Sequence, residues 1–218
     1  MSHHCAHNAP ELGTAPPGLR HALIWVIAIN ATMFAVEMAA GSMAQSQALK
    51  ADALDFLGDS MTYALSFAVL GMTLKTRAMA AMLKGGSLAA MGLFVLGLTL
   101  YRVFTGAEPE APIMGGIGLL ALAANLISVV FLLRFREGDS NIRSVWLCSR
   151  NDAIGNVAVL IAAGLVWTTG SYWPDLVVAA GMAGLFLHSA TLILLRARQE
   201  LAQGRAHRHV DQEAPQAS

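Results

Sequence analysis

Three aspartates lie close together in an otherwise apolar stretch of this sequence, in the segment ADALDFLGDS. Asp52, Asp55 and Asp59 are spaced i, i+3 and i+7, which places them on one face of a helix. Carboxylates held this close in apolar surroundings repel one another and are poorly hydrated, so they favour a bound metal ion or bound protons. Exchange of one for the other is the chemistry of a proton-coupled cation carrier. For Asp52, a cap at the start of the helix is the alternative.

A second segment, SVWLCSRNDAIGNVAV, has a matching polar pair. Cys148 and Asp152 are spaced i and i+4 and therefore also share a helix face. A thiolate and a carboxylate opposite Asp55 and Asp59 would give a four-ligand, roughly tetrahedral site, which suits Zn²⁺, with Co²⁺ or Cd²⁺ as alternatives. For Cys148 the competing interpretation is a small apolar packing residue, the usual role of a buried cysteine.

Other polar residues have two interpretations each. Glu37 and Asn30 are seven residues apart and share a helix face. In one interpretation they open the transport pathway or relay protons. In the other they form interhelical hydrogen bonds. His188 either lines the cavity or relays protons, or it bonds to a neighbouring helix. The N-terminal arm concentrates four potential Zn²⁺ ligands, which either collect metal or form a tail with incidental affinity: His3, His4, Cys5 and His7.

The composition shows which elements must position these residues. Of 218 residues, 56% are hydrophobic and 13% are charged, whereas soluble domains carry roughly 25% charged residues. The mean hydropathy is +0.55. A net charge of zero excludes a nucleic-acid binder that uses a basic face, and two cysteines exclude a disulfide framework. The composition predicts an all-α polytopic membrane protein.

Six apolar stretches are each long enough to cross a hydrocarbon core of about 30 Å. They cover residues 20–41, 48–74, 84–104, 112–134, 144–168 and 174–196. We therefore expect a six-helix transmembrane domain over 20–198, preceded by a disordered His- and Cys-containing arm at 1–19 and followed by a disordered polar tail at 199–218. The start of the chain lacks a basic stretch and does not resemble a cleavable signal peptide.

The lysines and arginines predict the orientation. Eleven lie in the arm, the second and fourth loops and the tail: Arg20, Lys75, Arg77, Lys84, Arg134, Arg136, Arg143, Arg196, Arg198, Arg205 and Arg208. Two, Lys50 and Arg102, lie on the other side. Because cytoplasmic loops carry the excess of Lys and Arg, we expect both termini in the cytoplasm.

Over roughly residues 20–200 the chain resembles the transmembrane domain of the cation diffusion facilitator family, the proton-coupled exporters of divalent metals. The segments NATMFAVEMAAG, ALKADALDFLGDS and CSRNDAIGNVAVLIAA resemble the first, second and fifth helices of that family. The family's second and fifth helices each carry a His or Asp followed four residues later by Asp. Asp55 and Asp59 fill both places in the second helix, and Asp152 fills the second place in the fifth. The resemblance implies that these residues, with Cys148, hold the metal.

Two features depart from the family pattern. Cys148 occupies a place that usually holds His or Asp, and a softer ligand favours Zn²⁺ or Cd²⁺ over Mn²⁺. In addition, about twenty polar residues follow the last helix, where most members continue into a cytoplasmic metal-binding domain. We therefore expect that domain to be lacking, and a homodimer, if one forms, to be built by the membrane helices.

The expected function is secondary transport, not enzymatic catalysis. We expect a proton-coupled antiporter in the bacterial inner membrane that exports Zn²⁺, with Co²⁺, Cd²⁺ and Ni²⁺ as further candidates. Its partners are then divalent metal ions, protons and membrane lipid, without a prosthetic group or nucleic acid. The alternatives are a proton-coupled exporter of organic cations and drugs, or an intramembrane enzyme or assembly factor in which Cys148 would pair with His188.

Overall fold

Six helices make up the secondary structure of the computed structural model, which describes residues 18–68, 74–106, 108–133 and 140–213. The helices are α1 (Leu19–Met43), α2 (Gln47–Ala68), α3 (Leu74–Thr105), α4 (Ala111–Leu133), α5 (Ser140–Thr169) and α6 (Trp173–Glu213). The all-α architecture predicted from the sequence is thereby confirmed over the described residues.

Five of these helices contain a segment long and apolar enough to cross a membrane: α1, α3, α4, α5 and α6. The prediction of six such spans therefore holds for five helices in the described part of the chain. The exception is α2, because its first four turns contain Lys50, Asp52, Asp55 and Asp59. The aspartates that make α2 a candidate for binding metal ions or protons also make the helix less apolar.

Helix α2 lies at the centre of the bundle, where it contacts each of the other five helices. The strongest pairings are α3 with α6, α4 with α5, and α1 with α2. In the first half of α2, Ala48, Leu49, Ala51 and Leu54 are all buried. A polar helix can be accommodated here because its neighbours, rather than lipid, surround its ionisable side chains.

The outer surface of the bundle is apolar. Large hydrophobic side chains are exposed on the peripheral helices, for example Trp25, Leu93, Phe104, Val130, Ile161 and Leu185. Phe104, for example, is 88% exposed. A protein surrounded by water seldom exposes so many large hydrophobic side chains. This distribution is typical of helices that face lipid tails.

Two helix boundaries differ from the sequence prediction. Helix α3 begins at Leu74, ten residues before the predicted start at residue 84, so the segment predicted as a loop is helical. Helix α6 continues to Glu213, although residues 199–218 were predicted to be a disordered tail. Both extensions are rich in Ala, Leu, Met, Gln, Arg and Lys, which have high helix propensity. The predicted helix boundaries were placed where the sequence changes from apolar to polar residues. Such a change does not by itself end a helix.

Gly41 permits the close approach of α1 to α2. A Cβ atom at this position would lie 3.0 Å from Leu49 Cβ and 3.1 Å from the Lys50 backbone nitrogen. These are fixed atoms of the neighbouring helix, so an added methyl group would have to push the two helices apart. The α1–α2 spacing is therefore set by the absence of a side chain.

We expect Gly41→Ala to lower the stability by about 1–3 kcal/mol, the usual cost of overpacking a tight contact. The measurement is the thermal unfolding midpoint of the purified protein in detergent. Gly97→Ala is the matched control, because a Cβ atom at Gly97 would meet nothing within 4 Å. Equal midpoints for the two variants would contradict the tight contact.

Candidate metal and proton site

A small pocket lies between α2, α4 and α5, and carboxylates form most of its lining. Its walls are Asp52, Asp55, Phe56, Asp59, Asn125 and Asp152. The structure thus brings Asp55 and Asp59 of α2 together with Asp152 of α5 at one pocket. It also adds Asn125 of α4, a buried amide whose oxygen is a further potential ligand.

Asp152 is the member that links the carboxylates. It lies within hydrogen-bonding reach of both Asp55 and Asp59. Two carboxyl groups in contact need a proton on one of them, or a cation between them if both are ionised. The pocket therefore requires positive charge, and either a metal ion or protons can supply it.

Tyr63 orients one of these carboxylates. Its hydroxyl group donates a hydrogen bond to Asp59 Oδ2 at 3.1 Å from one turn further along α2. Tyr63 is itself buried, with 5% of its surface exposed, so the phenol ring is fixed by packing. Sequence reasoning missed this residue, although the i, i+4 spacing from Asp59 was a usable signal.

Lys84 brings a positive charge towards the same carboxylate. We assigned Lys84 to a cytoplasmic loop, but it lies within α3 and interacts electrostatically with Asp59. The interaction partly balances the negative charge of the pocket from the α3 side. Because helix α3 was predicted to begin only at residue 84, no sequence pattern placed this lysine beside the aspartates.

Among the residues whose side chains the structure describes, no three His, Cys, Asp or Glu side chains are arranged to hold a metal ion. Cys148 lies on α5 one turn before Asp152, and its side chain is outside the described part of the chain. The arm residues His3, His4, Cys5 and His7 lie outside the described residues as well. The assignment of Asp55, Asp59, Asp152 and Cys148 as ligands thus remains a prediction.

Several polar groups of α1, α2 and α5 are almost fully buried. Asn30 and Glu37 of α1, Asp52 of α2 and Asn156 of α5 are each at most 2% exposed. Within the described residues, no hydrogen-bond partner reaches Asn30 Oδ1, either Glu37 carboxyl oxygen, Asp52 Oδ2 or the Asn156 amide. Burial of such groups without partners is costly, so each of them requires an explanation.

Asp175 is a buried acid that sequence reasoning did not single out. It lies in the first turn of α6, and its carboxylate accepts hydrogen bonds from Ser46 Oγ at 2.6 Å, from Gln47 N–H at 2.8 Å and from Ala48 N–H at 3.0 Å. Ser46 Oγ in turn accepts the Leu49 N–H at 3.1 Å. A residue from α6 therefore caps the N-terminus of α2, where amide groups would otherwise lack partners.

The turn between α1 and α2 is fixed from other directions too. Gln45 has a φ of 55°, a left-handed conformation that non-glycine residues adopt rarely. The Ser46 N–H donates to Gly41 O at 3.0 Å, and the Glu110 N–H donates to Ala44 O at 3.0 Å. Backbone hydrogen bonds and the Asp175 carboxylate thus join the ends of α1, α2, α4 and α6 at this turn.

His188 is not part of the pocket lining. It is exposed on α6, so the alternative in which it lines the cavity is not supported by its position. An enzyme that used His188 as the base for Cys148 would need both groups at one site. The side chain of Cys148 lies outside the described part of the chain, so this pairing stays an untested alternative.

Comparison with known proteins identifies the class to which this fold and site belong. The sequence profile of the family described as the cation efflux transmembrane domain matches residues 23–202 of this chain. The chain belongs to the cation efflux family, and its apolar helices make it an integral membrane protein.

Individual relatives are similar to the chain at moderate identity. The metal cation efflux system protein CzcD of Cupriavidus metallidurans is 25% identical over 83% of this chain and 61% of its own length. The zinc transporter ZitB of Escherichia coli is 27% identical over 94% of this chain and 69% of its own length. The cation-efflux pump FieF of Klebsiella pneumoniae is 31% identical over 54% of this chain and 43% of its own length.

Proposed function

We propose that the chain is a proton-coupled antiporter that exports divalent metal cations from the cytoplasm, with Zn²⁺ as the principal substrate. The observation that carries this proposal is the pocket in which Asp55, Asp59 and Asp152 converge from two helices. Membership of the cation efflux family and the similarity to a zinc transporter support it.

The proposed ligands are Asp55, Asp59 and Asp152, with Cys148 as the fourth. Carboxylate oxygens and a thiolate are a donor set that Zn²⁺ and Cd²⁺ accept in tetrahedral geometry. The pocket closes around the carboxyl groups when they are in contact, and it must spread by a small movement of α2 against α5 to admit an ion. Asp152 links α5 to α2 during that movement because its carboxyl group interacts with those of both Asp55 and Asp59.

Exchange of metal for protons gives the transport cycle. A metal ion that enters from the cytoplasm takes the place of the protons that the carboxyl groups share, and these protons leave. The helices then rock so that the site opens outward. Protons from the outside return to the carboxyl groups and the metal ion departs.

The proposed orientation places both termini in the cytoplasm of a bacterial inner membrane. The excess of lysine and arginine near the ends of α2, α3, α4 and α6 supports it. In this orientation the turn held by Asp175 faces the outside. A metal ion from the cytoplasm then approaches the pocket from the opposite end of α2.

Export of organic cations is a second candidate that the pocket disfavours. Drug-sized ligands require a large, mostly apolar cavity, whereas this pocket is small and four of its six lining residues are aspartates. Growth protection of a sensitive host separates the two functions. We expect protection against Zn²⁺ and no protection against cationic dyes, and the reverse pattern would favour the drug exporter.

Replacing Cys148 tests its proposed role as the soft ligand. We expect Cys148→Asp to shift transport away from Cd²⁺ and towards Mn²⁺, because a carboxylate is a harder ligand than a thiolate. The measurement is the ratio of Cd²⁺ to Mn²⁺ uptake by inside-out membrane vesicles. Cys5→Ser is the matched control and should leave the ratio unchanged. An unchanged ratio in Cys148→Asp would mean that Cys148 is a packing residue.

A further inference from the structure

Tyr63 contacts one of the proposed metal ligands from outside the pocket. It lies on α2 one turn beyond Asp59, and its hydroxyl group donates a hydrogen bond to Asp59 Oδ2 at 3.1 Å. Asp59 lines the pocket, whereas Tyr63 is not among the six residues that do so. The tyrosine is therefore placed to act on the ligand and not to bind the ion itself.

The hydrogen bond between these two residues is built into α2. Their i, i+4 spacing puts both side chains on one face of the same helix, so the contact is kept when α2 moves as a unit against α5. Tyr63 is 5% exposed, so packing restricts the ring. A buried hydroxyl group that loses its acceptor is costly, which favours the conformation in which Asp59 Oδ2 accepts the bond.

The other two proposed carboxylate ligands have no tyrosine at the equivalent place. Four residues after Asp55 is Asp59 itself, and four residues after Asp152 is Asn156. The side-chain amide of Asn156 makes no hydrogen bond within the described residues. A hydroxyl group one turn further along the helix is thus a feature of Asp59.

A hydrogen bond to one carboxylate oxygen changes how the carboxylate binds an ion. The phenol engages Asp59 Oδ2 and leaves Oδ1 as the better donor to a metal. Zn²⁺ is bound tetrahedrally by four ligand atoms, which the proposed site supplies when each residue gives one. Mn²⁺ prefers six oxygen ligands, and a carboxylate that binds through both oxygens helps to supply them. We propose that Tyr63 is a positioning residue that restricts Asp59 to one-oxygen coordination and thereby favours Zn²⁺ over Mn²⁺.

This inference rests on the proposed export of metal ions and names a residue that sets its selectivity. Cys148, the proposed fourth ligand, would discriminate between ions by their softness. Tyr63 discriminates by the number of donor atoms that the site offers. It does so without touching the ion, so its removal leaves the ligand set complete.

Calorimetric titration of the full chain in detergent, with Zn²⁺ and separately with Mn²⁺, tests the proposal. We expect Tyr63→Phe to raise the Kd for Zn²⁺ about tenfold or more, the usual effect of removing a hydrogen bond from a metal ligand. The Kd for Mn²⁺ should stay within about threefold of the parent, because the freed oxygen becomes available to this ion. Tyr101→Phe, which removes the same group from an exposed tyrosine of α3, is the control and should change neither constant. Equal changes in the two constants of Tyr63→Phe, or no change in either, would overturn the inference.

Infrared difference spectra recorded on metal addition give a second readout that needs no variant. The asymmetric and symmetric stretching bands of a carboxylate lie further apart when it binds an ion through one oxygen than when it binds through both. Zn²⁺ should induce only widely separated bands in the parent. A narrowly separated pair there would overturn the inference, even if Tyr63→Phe does not insert in the membrane. A parent that binds no Zn²⁺ would instead contradict the proposed function, so the two failures are distinguishable.

Discussion

Substitution of Asp59 or Asp152 by alanine is expected to abolish metal-dependent growth protection while the protein still inserts in the membrane. Asp152 reaches both α2 carboxylates, so its loss removes the contact between α2 and α5 as well as a ligand. Asp59 is held by the Tyr63 hydroxyl and faces Lys84, so it is positioned before an ion arrives. Removal of one ligand from a site of three or four should weaken metal binding by at least about 100-fold, since even outer-shell changes cost 10–100-fold.

The measurement is growth of a zinc-sensitive host over a series of Zn²⁺ concentrations, with the amount of protein in the membrane fraction determined in parallel. Asp55→Ala should behave in the same way. Glu108→Ala, which removes an exposed loop acid, serves as the control and should protect as well as the parent. If Asp55→Ala, Asp59→Ala and Asp152→Ala all protected fully, the site assignment would be wrong.

Asp175→Ala is expected to have the largest effect on stability. The substitution leaves two backbone N–H groups and one hydroxyl group without an acceptor in a region that is almost completely buried. Loss of a helix cap costs about 1 kcal/mol, and each buried donor left unpaired costs about 1–3 kcal/mol. We therefore expect a loss of about 3 kcal/mol or more, which lowers the unfolding midpoint by roughly 6–12 °C.

Asp175→Asn separates the charge from the shape. The asparagine retains one acceptor oxygen, so its unfolding midpoint should lie between those of the parent and Asp175→Ala. Ser42→Ala is the matched control, because Ser42 is exposed and its hydroxyl group bonds only to the preceding turn of its own helix among the described contacts. A midpoint for Asp175→Ala within one degree of the parent would show that the α6 cap does not stabilise the N-terminus of α2.

The sequence was sufficient to predict the all-α fold and to single out the four aspartates that line the pocket. Apolar runs of spanning length are a local signal, and the i, i+3, i+4 and i+7 spacings fix which residues share a face. The juxtaposition of Asp59 with Asp152 needed one more step, the resemblance to a family whose second and fifth helices carry paired motifs. Spacing within one helix does not tell which other helix lies opposite.

The interactions that the sequence could not predict are long-range ones. Asp175 and Ser46 are 129 residues apart, and the position of an acid at the start of a helix does not identify another helix as its partner. Lys84 was misplaced because charged residues were taken to mark loops, whereas here the helix continues through them. The unpartnered oxygens of Glu37 likewise became visible only when α1 and α2 were packed together.

The most direct test of the central claim is Zn²⁺ uptake by proteoliposomes that contain the full chain, with a trapped pH-sensitive dye to follow protons. The parent should take up Zn²⁺ and move protons in the opposite direction, and Asp59→Ala should do neither. Extension of the assay to Co²⁺, Ni²⁺, Cd²⁺, Mn²⁺ and Fe²⁺ ranks the substrates. Zn²⁺ uptake by Asp59→Ala at the rate of the parent would contradict the claim that the carboxylates between α2 and α5 carry the metal.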